Sequence, residues 1–245
     1  MNPTLPSLRS GVSDEERADD GSRGGRERRP IVVAIVVVLV AVLTTWIVAF
    51  SPVLGVETVR VRGTHILSAA QVLTAARIKH GSPLVRLDTA ALGRRVESLP
   101  EIASATVRTA YPSSVIITVS ERAAVGYVAA GPAYVLVDKT GDQFRTVLTT
   151  PRALPLFALP SGAMAKAAGR AVATVAASLT PKLLAGVASV QAFDPTAITL
   201  LLSDRRVVRW GSAGRSADKA RILPILLTQP GTQFDVTDPD QVVTH

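Results

Sequence analysis

The stretch from Ile31 to Phe50 constrains this chain more than any other, because twenty consecutive residues carry no charge and none is more polar than Thr44 and Thr45. A helix of that length extends roughly 30 Å, the hydrocarbon thickness of a bilayer. A buried soluble helix keeps a polar face over such a distance, so a run that is apolar on every side reads as a membrane span. Trp46, near one end, suits the aromatic belt at a membrane interface. A cleavable signal peptide would show an apolar core of only roughly 7–15 residues after a brief basic stretch. Here thirty mostly polar residues come first and no A-x-A site follows, so the segment reads as an uncleaved anchor.

Its direction follows from the flanks, since basic residues beside a span stay on the cytoplasmic side while acidic ones count for little. Arg23, Arg26, Arg28 and Arg29 precede the run closely, and nothing basic follows it before Arg60. The N-terminus is therefore expected in the cytoplasm and everything beyond residue 50 outside it. Residues 1–30 balance six Arg against six acidic residues and show no apolar periodicity, the composition of a disordered tail. The formal charge of +8 thus belongs entirely to the extracytoplasmic part.

Past the span, VETVRVR (56–62) alternates, with Val59 and Val61 on one face and Arg60 and Arg62 on the other, as in a half-buried strand. Ser68 and Gln71 form a capping box ahead of Val72, Leu73 and Ala76, which supply the apolar face of a short helix. Asp88 caps a second helix, with Leu87 and Leu92 spaced as a staple and Leu92, Val96 and Leu99 on one side. Extended runs at 103–109 and 115–121 are joined by the turn AYPSS. The order is strand, helix, helix, strand, strand.

That order, carried by VETVRVRGTHILSAAQV, GSPLVRLD and LPEIASATVRTAYPSSVIITVSER, resembles the POTRA domain of the FtsQ/DivIB family of bacterial cell-division proteins. Two departures are Tyr111, where the family often has Trp, and Ala123 and Ala124, where a proline often follows the Glu-Arg pair.

The remainder reads as a mostly antiparallel β domain with flanking helices. Short runs at 125–128 and 134–137, followed by the turn DKTGDQF, read as an antiparallel meander. Met164, Ala168, Val172, Val175 and Leu179 recur at helical spacing opposite Lys166 and Arg170, and Pro181 ends the pattern. AITLLLSDRRVVRWG predicts a hairpin about Asp204 and Arg205, and Ser216 is placed to cap a helix carrying Ala220, Leu223 and Leu227 that Pro224 kinks or ends. QFDVTDP supplies a last extended segment. The block VVRWG…ADKARILPILLTQPGTQFDV again resembles the family, its high-GC Gram-positive, actinobacterial members in particular, except that Arg205 stands where the family often has Gly.

The fold class expected is therefore α+β: one N-terminal transmembrane helix, a POTRA domain (β-α-α-β-β), then a mostly antiparallel β domain. The divisions are a cytoplasmic tail (1–30), the span (31–50), the POTRA domain (51–122) and the C-terminal domain (123–245).

Ser216-Ala217-Asp218-Lys219 and Lys139-Thr140-Gly141 match the S-x-x-K and K-T-G signatures of penicillin-binding proteins. Their order along the chain is reversed, Asn2 is the only asparagine for a third motif, and fewer than 200 residues remain for a catalytic domain. A helix cap and a hairpin turn explain them better, so the expectation is a protein that is not an enzyme and holds no cofactor. Without cysteine there is no thiolate site, and His65, His80 and His245 have no carboxylate at ligand spacing, so no metal is expected. The basic residues are scattered with few aromatics among them, which reads as a solvated surface rather than a nucleic-acid interface; attraction to anionic envelope polymers or headgroups is the alternative.

The resemblance implies a scaffold of the division machinery whose C-terminal domain holds FtsB-like and FtsL-like proteins, which act in turn on the septal peptidoglycan synthase pair of FtsW and its penicillin-binding partner. It carries a partner site onto Arg221, Phe234, Asp235, Val236 and Thr237, with Gln233–Thr237 as a candidate sheet edge. Rival readings are a POTRA-bearing component of polypeptide export or envelope assembly, against which the lack of an internal repeat counts, and an envelope-binding sensor, for which residues 1–30 hold no signalling domain.

Overall fold

The computed structural model describes residues 28–50, 55–240 and 243–244. The expected tail, residues 1–30, lies almost wholly outside them. Helix α1 runs Arg28–Phe50, and its described side chains, Ile31 to Trp46, are exposed on every face. Thr44 and Thr45 turn their hydroxyls back onto the carbonyls of Val40 and Ala41, both at 2.7 Å. Among the described residues no helix is long and apolar enough to cross a membrane. The described side chains of α1 stop at Trp46, whereas the expected span continues through residues 47–50.

The first sheet contains β1 (Thr58–Arg62), β2 (Ile102–Ala110) and β3 (Ser114–Glu121) in the order β1-β3-β2, with α2 (Ala69–Ala76) and α3 (Thr89–Glu97) between β1 and β2 in sequence. The capping box forms as its spacing implies: Ser68 Oγ accepts from Gln71 N at 3.3 Å, and Gln71 Oε1 accepts from Ser68 N at 2.8 Å. Asp88 caps α3 through Ala91 N at 2.8 Å. Val72, Ala76, Leu92 and Val96 from the helices pack with Val107, Val115, Ile117 and Val119 from the sheet. Glu121 reaches back to the loop before α2 and accepts the backbone N–H groups of His65, Ile66 and Leu67. Burial pushes its carboxyl up, but those three donors prevail and hold it below the usual glutamate range.

The second sheet has nine strands: β4 (Ala124–Ala130), β5 (Ala133–Asp138), β6 (Gln143–Val147), β7 (Leu156–Ala158), β8 (Val187–Ala192), β9 (Ile198–Leu202), β10 (Val207–Gly211), β11 (Gln233–Asp235) and β12 (Val243–Thr244). Their order across the sheet is β12-β11-β10-β9-β8-β7-β4-β5-β6, so the expected meander and the expected hairpin belong to one continuous sheet. Most neighbours are antiparallel. Two parallel pairs have helical crossovers, α4 (Ala165–Ser178) with α5 (Pro181–Ala185) between β7 and β8, and α6 (Ser216–Leu226) between β10 and β11. Ala168, Val172 and Val175 of α4 and Leu223 of α6 share a core with Val190, Leu200, Val208, Trp210, Phe234 and Val236. Met164, expected on the buried face of α4, is exposed, because that helix begins only at Ala165.

Arg122 bridges the two sheets. Its Nη1 donates to the carboxylate of Asp138, which also accepts from Thr140 N at 2.8 Å, Thr140 Oγ1 at 2.6 Å and Asp142 N at 3.0 Å. Burial pushes the Asp138 carboxyl up, and the Thr140, Arg122 and Asp142 donors together bring it below the usual aspartate range. Lys139-Thr140-Gly141 is thus the turn of the β5–β6 hairpin.

Arg205 sits in the β9–β10 turn at φ 71°, the left-handed region where a Cβ is unfavourable. Its N–H already bonds Leu202 O at 3.0 Å, a contact glycine would keep. Arg205→Gly is expected to raise stability by about 1 kcal/mol, the strain removed exceeding the entropy glycine adds to the unfolded chain. A thermal melting midpoint that falls would refute this account of the turn.

Candidate partner-binding edge

The C-terminal end of the nine-stranded sheet is built on Trp210. This residue ends the buried alternation of β10 and is fully enclosed. Its indole N–H donates to Ser216 Oγ at 3.1 Å, and Ser216 in turn donates to Ala213 O at 2.8 Å. Ser216 therefore is not the helix cap expected of it. The N-cap of α6 is Arg215, at φ 54° and with no side-chain capping bond, and Ser216 is turned inward as the partner the buried indole requires.

Lys219 lies one turn further along α6 and is also enclosed, at 2% exposure. Its Nζ donates to Trp210 O at 2.8 Å and Ser212 O at 3.1 Å. Burial, assisted by the nearby Arg215 charge, pulls the ammonium below the usual lysine range against the opposing pull of Asp235 and Asp238. Both polar members of the S-x-x-K motif are thus occupied in holding α6 to the end of β10. The K-T-G turn follows β5, and four strands separate β5 from β10, about 24 Å at ordinary strand spacing.

β11 pairs in parallel with β10, placing Phe234 beside Val208 and Asp235 beside Arg209, and Val236 N continues the ladder to Arg209 O at 2.9 Å. The expected edge is therefore one strand in from the rim: β12 covers β11, pairing Phe234 with Thr244 and Asp235 with Val243. Alternation along β11 sends Phe234 and Val236 into the core, at 1% and 0% exposure, while Gln233 and Thr237 face solvent. Asp235, half-buried, accepts Thr237 N at 2.9 Å. Gly211, at φ 72°, leaves room for this segment; a Cβ there would come within 2.9 Å of Thr237 Cγ2.

Arg221 is exposed on α6 and pairs with Asp218 at 3.3 Å. Arg215, at the start of that helix, grips Asp240 through two bonds of 2.7 and 3.1 Å. The hydrogen bond from Arg215 holds the Asp240 carboxyl below its usual range. Of the five residues expected at the site, Phe234, Asp235, Val236 and Thr237 share one extended run whose side chains divide between core and surface, and Arg221 stands on the crossover helix. The Arg215–Asp240 clasp escaped the sequence reading because its partners lie 25 residues apart with no periodic signal between them.

Two known families match successive parts of the chain. The family described as "POTRA domain, FtsQ-type" matches residues 54–122, and "Cell division protein FtsQ/DivIB, C-terminal" matches residues 126–240. The cell-division protein FtsQ of Mycobacteroides abscessus is 34% identical over 91% of this chain and 73% of its own length. FtsQ of Streptomyces coelicolor is 35% identical over 88% of this chain and 87% of its own. The solved major extracytoplasmic domain of DivIB from Geobacillus stearothermophilus is a more distant likeness, 16% identical with a TM-score of 0.36 over 44% of this chain. With that identity sustained over nearly its whole length, the chain belongs to the FtsQ/DivIB family of cell-division proteins.

Proposed function

We propose that this protein is a non-enzymatic, single-pass scaffold of the division septum. α1 anchors it in the cell membrane, residues 1–30 lie in the cytoplasm, and the domains at 51–122 and 123–245 stand outside. Support for the anchor comes from the apolar side chains exposed all round α1 and from its two threonines, whose hydroxyls are satisfied within the helix as a lipid environment demands.

The C-terminal domain holds FtsB-like and FtsL-like partners and acts through them on FtsW and its penicillin-binding partner. The observation carrying this reading is the rim of the second sheet, where β12, a strand of two residues, leaves a main-chain edge to which a partner can add a strand. Such a partner meets the outward residues Asp235 and Thr237, and Arg221, exposed on the crossover helix α6, is a further contact. Phe234 and Val236 serve the site from beneath by fixing the strand.

The test is recovery of FtsB-like and FtsL-like proteins on the full chain, compared with a chain ending at residue 240 and with Arg221→Glu. Loss of β12 is expected to reduce recovery about ten-fold or more, with Arg221→Glu causing a smaller drop. Undiminished recovery by both variants, with unchanged tryptophan fluorescence, would move the site elsewhere.

A further inference from the structure

The end of the first domain that follows α1 in the chain combines basic and exposed apolar side chains. Residue 55 lies five residues beyond Phe50, so the extended chain keeps it within about 18 Å of the end of α1. There the chain is pinned: Val56 N donates to Ser82 O and Gly81 N to Val56 O, both at 2.9 Å. Gly55 packs so tightly that a Cβ on it would come 2.8 Å from Gly81 O. The loop 79–86 is thereby fixed beside Gly55 and Val56, within the same reach of α1.

The turn between β2 and β3 sits at the same end. β1 runs parallel to β3 with Thr58 opposite Ser114, and Glu57 N donates to Ser113 O at 2.8 Å. Two exposed apolar groups mark this end, Val85 at 48% and Tyr111 at 63%. A shallow groove here is lined by Arg77, Lys79, Arg86 and Arg95 with Asp88 as its acidic member, and that carboxylate is already committed to capping α3. The neighbouring Glu57 accepts from Ser113 Oγ at 3.1 Å.

We infer that this end of the first domain seats on the anionic headgroups of the lipid bilayer, Lys79 and Arg86 meeting phosphates while Val85 and Tyr111 enter the interface. Tyrosine suits that depth, with an apolar ring and a polar tip, and basic side chains beside an anionic surface each add attraction. The seat would hold the domain against the membrane and so set the height at which the second sheet meets its partners. The inference rests on the reading of α1 as a membrane anchor.

The absence of cysteine makes the test direct. The full chain carrying Val85→Cys, or Leu148→Cys as a distant exposed control, is labelled with a fluorophore and reconstituted in vesicles bearing a headgroup-linked quencher. In vesicles that are about one-third phosphatidylglycerol, the label at 85 is expected to be quenched at least three-fold more than that at 148. The excess should fall by more than half in phosphatidylcholine alone, in high salt, and on combining Lys79→Glu with Arg86→Glu. Equal quenching at 85 and 148 in protein that floats with the vesicles overturns the seat and leaves the anchor standing. An excess indifferent to lipid charge and salt also overturns it. Protein that fails to float defeats the anchor itself, and the seat with it.

Discussion

Phe234→Asp is expected to unfold the second sheet rather than merely release a partner. The ring is 1% exposed, belongs to the core containing Trp210 and Val208, and has the Arg206 guanidinium 5.6 Å from its centroid. Removing such a ring costs about 3–5 kcal/mol from the cavity alone. A carboxylate in its place finds only Arg206 nearby, a half-buried guanidinium already bonded to Asp204 and to Leu227 O, and must be largely desolvated or take up a proton, at a further cost of several kcal/mol. Together these approach the whole stability of an ordinary domain, roughly 5–15 kcal/mol. In a Trp46→Phe background the emission of Trp210 should shift to that of a solvated indole, and amides of β9 to β11 should lose exchange protection, while those of β2 and β3 keep it. Arg221→Glu, on the exposed side of α6, is expected to remain within about 0.5 kcal/mol of the parent. A folded Phe234→Asp protein that has lost only its partners would mean the ring faces outward, contrary to the packing described.

This difference between strand and side chain shows how far the sequence could be read. The first domain was legible nearly throughout because its signals are local: a capping box three residues wide, an Asp cap, alternating Val and Arg in β1. In the second domain β6, β7, β8 and β12 went unread. β7 lies between β4 and β8 and is only three residues long, too short for alternation to show. β8 carries a bulge between Val187 and Ser189 that interrupts its period of two, and its inward positions include alanine rather than a large residue.

The segment around Phe234 was legible as an extended run but not as a surface. In an extended run Phe234 and Val236 share one side, both buried here, but alternation alone does not say which side faces the core. That depended on the parallel pairing with β10, which α6 makes possible and which no local signal announces. Ser216 misled for the opposite reason. A serine before a helical pattern is ordinarily a cap, yet here the buried indole six residues earlier has the stronger demand for its oxygen.

The same enclosed corner gives the second large effect. Lys219→Ala is expected to cost about 3–4 kcal/mol, because it strips the Trp210 and Ser212 carbonyls of their shared donor and opens a cavity where the aliphatic stem lay. Lys219→Met keeps the stem and leaves only the carbonyls short, so its cost should be roughly half as large. The two also separate packing from charge through pH. Because burial holds the ammonium below the usual lysine range, the unfolded chain binds this proton more tightly than the folded one. Between the two pKa values the unfolded state carries more protons, so this residue's contribution to stability rises with pH until the ordinary lysine value near 10.4. Neutral lysine retains two N–H donors, enough for both carbonyls. The gap between the parent and Lys219→Met, followed as urea midpoints from neutral to alkaline pH, should therefore widen in favour of the parent. A gap that stays constant or narrows would show that the buried amine is no less basic than a solvated one, and that its charge sits in α6 without penalty.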